Sequence, residues 1–296
     1  METDKTLEST GDRGWLTGFW NMLQKENARW WNTKSIIVKL IMWTLIINSL
    51  VAGSMYVTLQ LAPHGFDTNG FANNITSATA TADSLNLWHQ TVSAGGLYVF
   101  FLIAGQTMFI GAVIFAHDSI LKERESGTAA WLLSKPVSRK AFVLSKVLAQ
   151  SFGMLILILL VQAIIAYILC SFVMGSLIPV LPFLAGVGLI GLEILFYQIL
   201  ALGLGAFFQS RSVTLGVPII IGMGSGIAMT FKPELHYFVP SKLTDYASTI
   251  ATGFSVATPA TSNALPSDFY IPIIVTAIWV VVFIAATVAR FELIEL

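Results

Sequence analysis

The hydrophobic positions of this chain fall into six long runs: Leu40 to Leu61, Gly95 to Ala116, Val143 to Val173, Leu181 to Phe208, Val213 to Met229 and Phe269 to Ala289. Crossing a hydrocarbon core takes roughly 20 helical residues, and each run is of that order or longer. A backbone surrounded by lipid must satisfy its own hydrogen bonds, so the pattern predicts six transmembrane α-helices. The third run outlasts the bilayer at about 1.5 Å per residue, which predicts that its first turns project out of the membrane. Pro218 predicts a kink in the fifth.

The polar segments between the runs differ in kind. Met1 to Asp12 carries no periodic pattern and is read as unstructured. From Arg13 to Lys34 the chain is amphipathic: Trp15, Phe19 and Leu23 recur at helical spacing, with Leu16 and Trp20 beside them and Lys25, Glu26 and Arg29 elsewhere. Tryptophan favours the membrane–water boundary, so this stretch predicts an interfacial helix leading into the first span. Residues 63–94, rich in Ser, Thr, Asn and Ala, predict a loose loop. Residues 231–268 combine Pro240, Pro259 and Pro266 with a helix-compatible piece from Ser241 to Phe254, which predicts a small cap or re-entrant helices. The domain plan is an N-terminal segment, 1–34, followed by one six-span domain, 35–296.

Residues 117–146 form the one substantial charged island between membrane-length runs. They predict a helix from Asp118 to Glu125, a break at Gly127, a short helix capped by Thr128, a stop at Pro136 and a further helix from Ser138. The short helix carries Trp131, Leu132 and Leu133, which are too apolar to be left in water without a partner.

Composition agrees with a membrane protein. The chain is 55% hydrophobic and 11% charged, whereas soluble domains carry roughly 25% charged residues. Its formal net charge is zero, which gives no reason to expect a nucleic-acid partner. Charge distribution is more informative. Of the 16 Lys and Arg residues, six precede or include Lys39, six lie in the island, and Arg211 and Arg290 fall on the same side; Lys232 and Lys242 fall on the other. By the positive-inside rule, both termini and the island are cytoplasmic. The polar, Trp-rich stretch before the first run predicts that no signal peptide is removed.

No stretch matches a phosphate-binding loop, and there is no zinc-protease or serine-hydrolase motif. The expectation is a chain without a catalytic, cofactor or metal site of its own. Glu193 stands near the middle of the fourth run, where a carboxylate is costly unless it is protonated, paired or facing a cavity. Asn48, Gln106 and Gln162 occupy similar depths. These four are the candidates for lining a translocation path, and joining neighbouring helices is the other role open to them.

The series Ile120, Lys122-Glu123-Arg124-Glu125, Gly127-Thr128, Leu132-Leu133-Ser134, Pro136-Val137-Ser138-Arg139 and Lys146 resembles the first cytoplasmic loop of type 2 ABC exporter permeases. The surrounding layout is also similar to that family. The resemblance implies an integral-membrane permease with a short coupling helix, Thr128 to Leu133, that docks in a cleft of a separate ATP-binding subunit. Glu123, Glu125 and Arg139 would be flanking polar contacts, with Gly127 and Pro136 setting the ends of the docking segment around Trp131, Leu132 and Leu133. It further implies two ATP-binding subunits holding ATP and magnesium, a second copy of this chain or a homologous permease, lipid contact, and residence as a multi-pass protein in a prokaryotic plasma membrane.

Two rival readings stand beside it. One is a proton-coupled secondary transporter using Glu193, which leaves the island idle and lacks the expected internal repeat. The other is a membrane anchor for an ATPase that moves nothing.

Overall fold

In the computed structural model the described residues are 17–61, 82–126, 137–252 and 265–293, and every regular element among them is helical. An α-helix, α1 (Phe19–Trp30), precedes α2 (Thr33–Trp43), which continues through a π-helical turn, Thr44–Asn48, into α3 (Ser49–Leu61). There follow α4 (Ala82–Ala116), α5 (Asp118–Glu125), α6 (Arg139–Gly153), a second π-helical stretch at Met154–Leu160 and α7 (Val161–Met174). The chain ends with α8 (Val180–Phe207), α9 (Arg211–Phe231), α10 (Lys242–Thr252) and α11 (Tyr270–Glu292).

Among the described residues, six helical segments are long and apolar enough to cross a membrane: Ile36–Gln60, Trp88–Glu123, Arg139–Met174, Val180–Phe207, Arg211–Phe231 and Tyr270–Glu292. The number expected from the hydrophobic pattern is therefore observed. The second and third segments are longer than their apolar runs. Each has 36 residues, about 54 Å of helix. The second outruns its run at both ends and the third mainly at its start, on the side where the Lys and Arg residues gather, here called the basic face.

The fourth span, α8, is the axis of the bundle and packs against α4, α9, α10 and α11. It is apolar all round, and a helix of that kind has no face to offer water. Its glycines bring neighbours close: a Cβ at Gly186 would lie 2.8 Å from both the Ala247 carbonyl oxygen and the Phe101 ring. By contrast, a Cβ at Gly188 or Gly95 would meet nothing within 4 Å. Pro218 lies buried within α9.

The N-terminal helix differs from its sequence reading. The chain breaks at Trp31, and the Asn32 side chain accepts a hydrogen bond from the Lys34 amide to start α2. Within α1 the buried stripe is Met22, Glu26 and Trp30, whereas Trp20 is 76% exposed. Trp30 is seated against Gly153 of α6, where even a Cβ would collide with the indole. A charged residue assigned by pattern to the polar side thus lies at the centre of the packed face. Trp15 and Leu16 lie outside the described residues, as do Gly127, Thr128, Trp131, Leu132, Leu133 and Pro136.

Candidate coupling and translocation site

On the basic face, the start of the third span is a hub. Ser138 caps α6 by accepting from the Ala141 amide at 3.1 Å, and its own backbone N–H donates to the Thr17 carbonyl at 3.1 Å. One turn into the helix, Phe142 stacks on Phe291 with ring centroids 4.9 Å apart. The Arg139 guanidinium donates to the Glu292 carbonyl oxygen at 2.7 Å, and Lys140 lies 3.3 Å from the Glu292 carboxylate. These contacts fasten the end of the sixth span to the beginning of the third.

Lys146 fastens the opposite side. It is wholly buried, and its Nζ lies 2.8 Å from Glu26 Oε1 of α1 and 2.9 Å from Glu123 Oε1 of α5. Glu26 is 4% exposed and Glu123 16%. Removing three charges from water is costly, and close ion pairing with good geometry offsets that cost. Three segments far apart in sequence meet at one ammonium group.

The other charges of this face are more exposed. Asp118 pairs with Lys122 at 2.7 Å, one helical turn on, and Arg211 donates to Glu125 Oε2 at 2.7 Å. Of the expected docking contacts, Glu123, Glu125 and Arg139 therefore all have partners within the chain. Exposed pairs of this kind contribute little to stability because water and salt screen them.

Inside the membrane-length helices the joints are neutral or single. Gln162 Oε1 accepts from Asn48 Nδ2 at 2.7 Å and from Thr44 Oγ1 at 3.1 Å. Both flanking spans carry π-helical turns here, an arrangement that widens the helix and re-aims side chains. Glu193, 2% exposed, accepts from Thr244 Oγ1 of α10 at 2.6 Å. Gly105 of α4 leaves no room for a Cβ beside Thr244, so α4, α8 and α10 meet closely at that depth. Gln198 donates to Ser151 at 3.0 Å. Gln106 stands apart: it is exposed on the second span.

Of the four candidate path residues, two are bonded to each other, Glu193 is tied to α10, and Gln106 faces outward. Thr244 and Glu26 escaped sequence reasoning. Each is the remote half of a contact, and its own local pattern gives no signal.

On the face opposite the basic one, α10, the end of α9 and the short helix Pro233–Tyr237 surround a cavity of about 540 Å³ lined by residues including Thr230, His236, Lys242 and Tyr246. Lys242 pairs with Asp245. Tyr237 donates to Asp268, and that hydrogen bond holds the Asp268 carboxyl below its ordinary range.

A family model described as ABC-2 family transporter protein matches residues 20–296. The chain belongs to that family. No curated protein matches it closely enough to be called a relative. As an ABC-2 family member with six membrane-length helices, it is a multi-pass membrane permease subunit that takes part in transport and is not itself the catalyst. Permeases of the ABC-2 family generally pair with ATP-binding subunits.

Proposed function

We propose that this ABC-2 permease is driven by ATP-binding subunits docked on its basic face, that this face is cytoplasmic, and that transport runs outward across a prokaryotic plasma membrane. The observation that carries the reading is the pair of long helices. The segments Trp88–Glu123 and Arg139–Met174 each exceed a hydrocarbon core of roughly 30 Å and flank residues 127–136 as two stalks. A movement imposed on the segment between them acts on the second and third spans as levers. Two ATP-binding subunits hold ATP and magnesium, and the docking segment is Thr128 to Leu133, with Trp131, Leu132 and Leu133 as its apolar knob.

A second permease copy, identical or homologous, completes the path. Gln106 supports this placement: a carboxamide exposed at mid-span lacks the partners that water or protein supplies. Beside it, α9 packs on α4 and presents open space at Gly216 and Gly224. The path then runs between two copies along the second and fifth spans.

The test is reconstitution of the permease with the ATP-binding subunit that copurifies with it. Flux into vesicles should require ATP and should stop when the phosphate-loop lysine of that subunit is replaced. Trp131→Asp with Leu132→Asp should release the subunit in a pull-down. Full flux without ATP, or retained binding by the double variant, would refute the reading.

A further inference from the structure

We infer that Lys146 is a positioning residue that makes α1 part of the moving unit, so that movement of the stalks carries the N-terminal helix with it. The inference rests on the proposed ATP-driven function and adds a third member to the pair of stalks.

The geometry is specific. α1 has Glu26 at the middle of its buried stripe, between Met22 and Trp30. The Glu26 carboxylate does not reach the nearest stalk by apolar packing alone; it meets Lys146 on α6 at 2.8 Å, and Lys146 meets Glu123 on α5 at 2.9 Å. Lys146 therefore bridges the last turn of the second-span stalk, the first turns of the third-span stalk and α1. Trp30, in the cradle of Gly153, and the bond from Ser138 to Thr17 place two further contacts at the ends of the same helix. A helix seated at both ends and ion-paired at its centre moves with its support.

The charges also set direction. Two carboxylates and one ammonium share the site, so loss of Lys146 leaves like charges facing each other across the α1–α5 boundary, which drives the two apart. Loss of Glu26 instead leaves one balanced Lys146–Glu123 pair. Glu26→Gln is accordingly the cleaner variant: it weakens the tie to α1 from an ion pair to a single hydrogen bond and spares the tie between the stalks.

The experiment uses the whole permease with its copurifying ATP-binding subunit in vesicles. Spin labels are placed at Gln24→Cys on α1 and Leu148→Cys on α6, both exposed positions, while Cys170 is buried. In the parent the label-to-label distance should be narrowly distributed, with and without ATP. In Glu26→Gln the distribution should broaden, and the flux obtained per ATP hydrolysed should fall by about fivefold or more, the lower end of typical couplings between linked sites. Glu26→Asp should restore most of both. An unchanged distribution in Glu26→Gln would overturn the clasp, and a broadened distribution with unchanged flux per ATP would make it structural only, which overturns the coupling role. Absence of any ATP-dependent flux in the parent would instead overturn the proposed function, and with it the coupling role, while the distances would still read the clasp.

Discussion

The hub of the basic face and the interior of the bundle solve the same problem with different chemistry. Both must join helices that are distant in sequence. At the hub, joining is by charged groups: Lys146 pairs with Glu26 and Glu123, Lys140 pairs with the Glu292 carboxylate, and the Arg139 guanidinium donates to the Glu292 carbonyl oxygen. In the interior it is by hydroxyls and amides: Thr244 to Glu193, and Asn48 and Thr44 to Gln162. A charge pair tolerates little change in partner without leaving an uncompensated charge. A neutral hydrogen bond is worth about 1 kcal/mol net and can be exchanged as helices shift. The difference teaches where rigidity and where movement belong: the hub holds its geometry, and the interior can rearrange.

That contrast can be broken in order of expected effect. Lys146→Met should be the most damaging single change, destabilising the protein by about 3–5 kcal/mol because the buried Glu26 and the partly buried Glu123 lose their common partner; thermal unfolding in detergent measures it. Gly153→Val should follow, with a loss of about 1–3 kcal/mol from forcing Trp30 out of its seat, visible as a change in indole fluorescence together with lower thermal stability. Thr244→Val in the interior should cost about 1–3 kcal/mol, because the buried Glu193 oxygen loses its hydroxyl donor, and Glu193→Gln less, because the amide oxygen of glutamine can accept the same Thr244 hydroxyl. Unchanged flux in Glu193→Gln would also remove any proton-carrier role for that residue. Arg211→Ala should change thermal stability by less than about 1 kcal/mol, with any difference from the parent shrinking at high salt, since its pair with Glu125 is exposed. A charge-dependent collapse on Arg211→Ala, or tolerance of Lys146→Met, would erase the distinction between the two regions.

Sequence reasoning reached the architecture because membrane insertion leaves a strong one-dimensional signal. Six runs became six membrane-length helices, and the helix Asp118–Glu125 and the helix start capped by Ser138 fall where the pattern put them. The expected helix between residues 241 and 254 also has a counterpart in α10. What could not be read was pairing. Glu26 and Lys25 look alike as neighbouring charges on an amphipathic helix, and only the position of Lys146, 120 residues later, distinguishes them. The packed stripe of α1 was hidden for the same reason: hydrophobicity alone weights Trp20 above Glu26, whereas an ion pair buries the glutamate against the protein. Glu193 was visible as an anomaly, but Thr244, the group that explains it, is an ordinary residue in a polar loop segment.

The distance along the chain between Glu26 and Lys146 also imposes an order on assembly. Synthesis proceeds at roughly 5–20 residues per second, so on the order of ten seconds separates the two residues as the chain emerges. During that interval α1 has neither its ammonium partner nor the Gly153 seat for Trp30. A nascent chain stopped before the third span should therefore hold α1 undocked, open to proteases and chaperones. Arrival of Ser138 and then Lys146 closes the first contacts of α1 with the third span, just as that span begins to emerge.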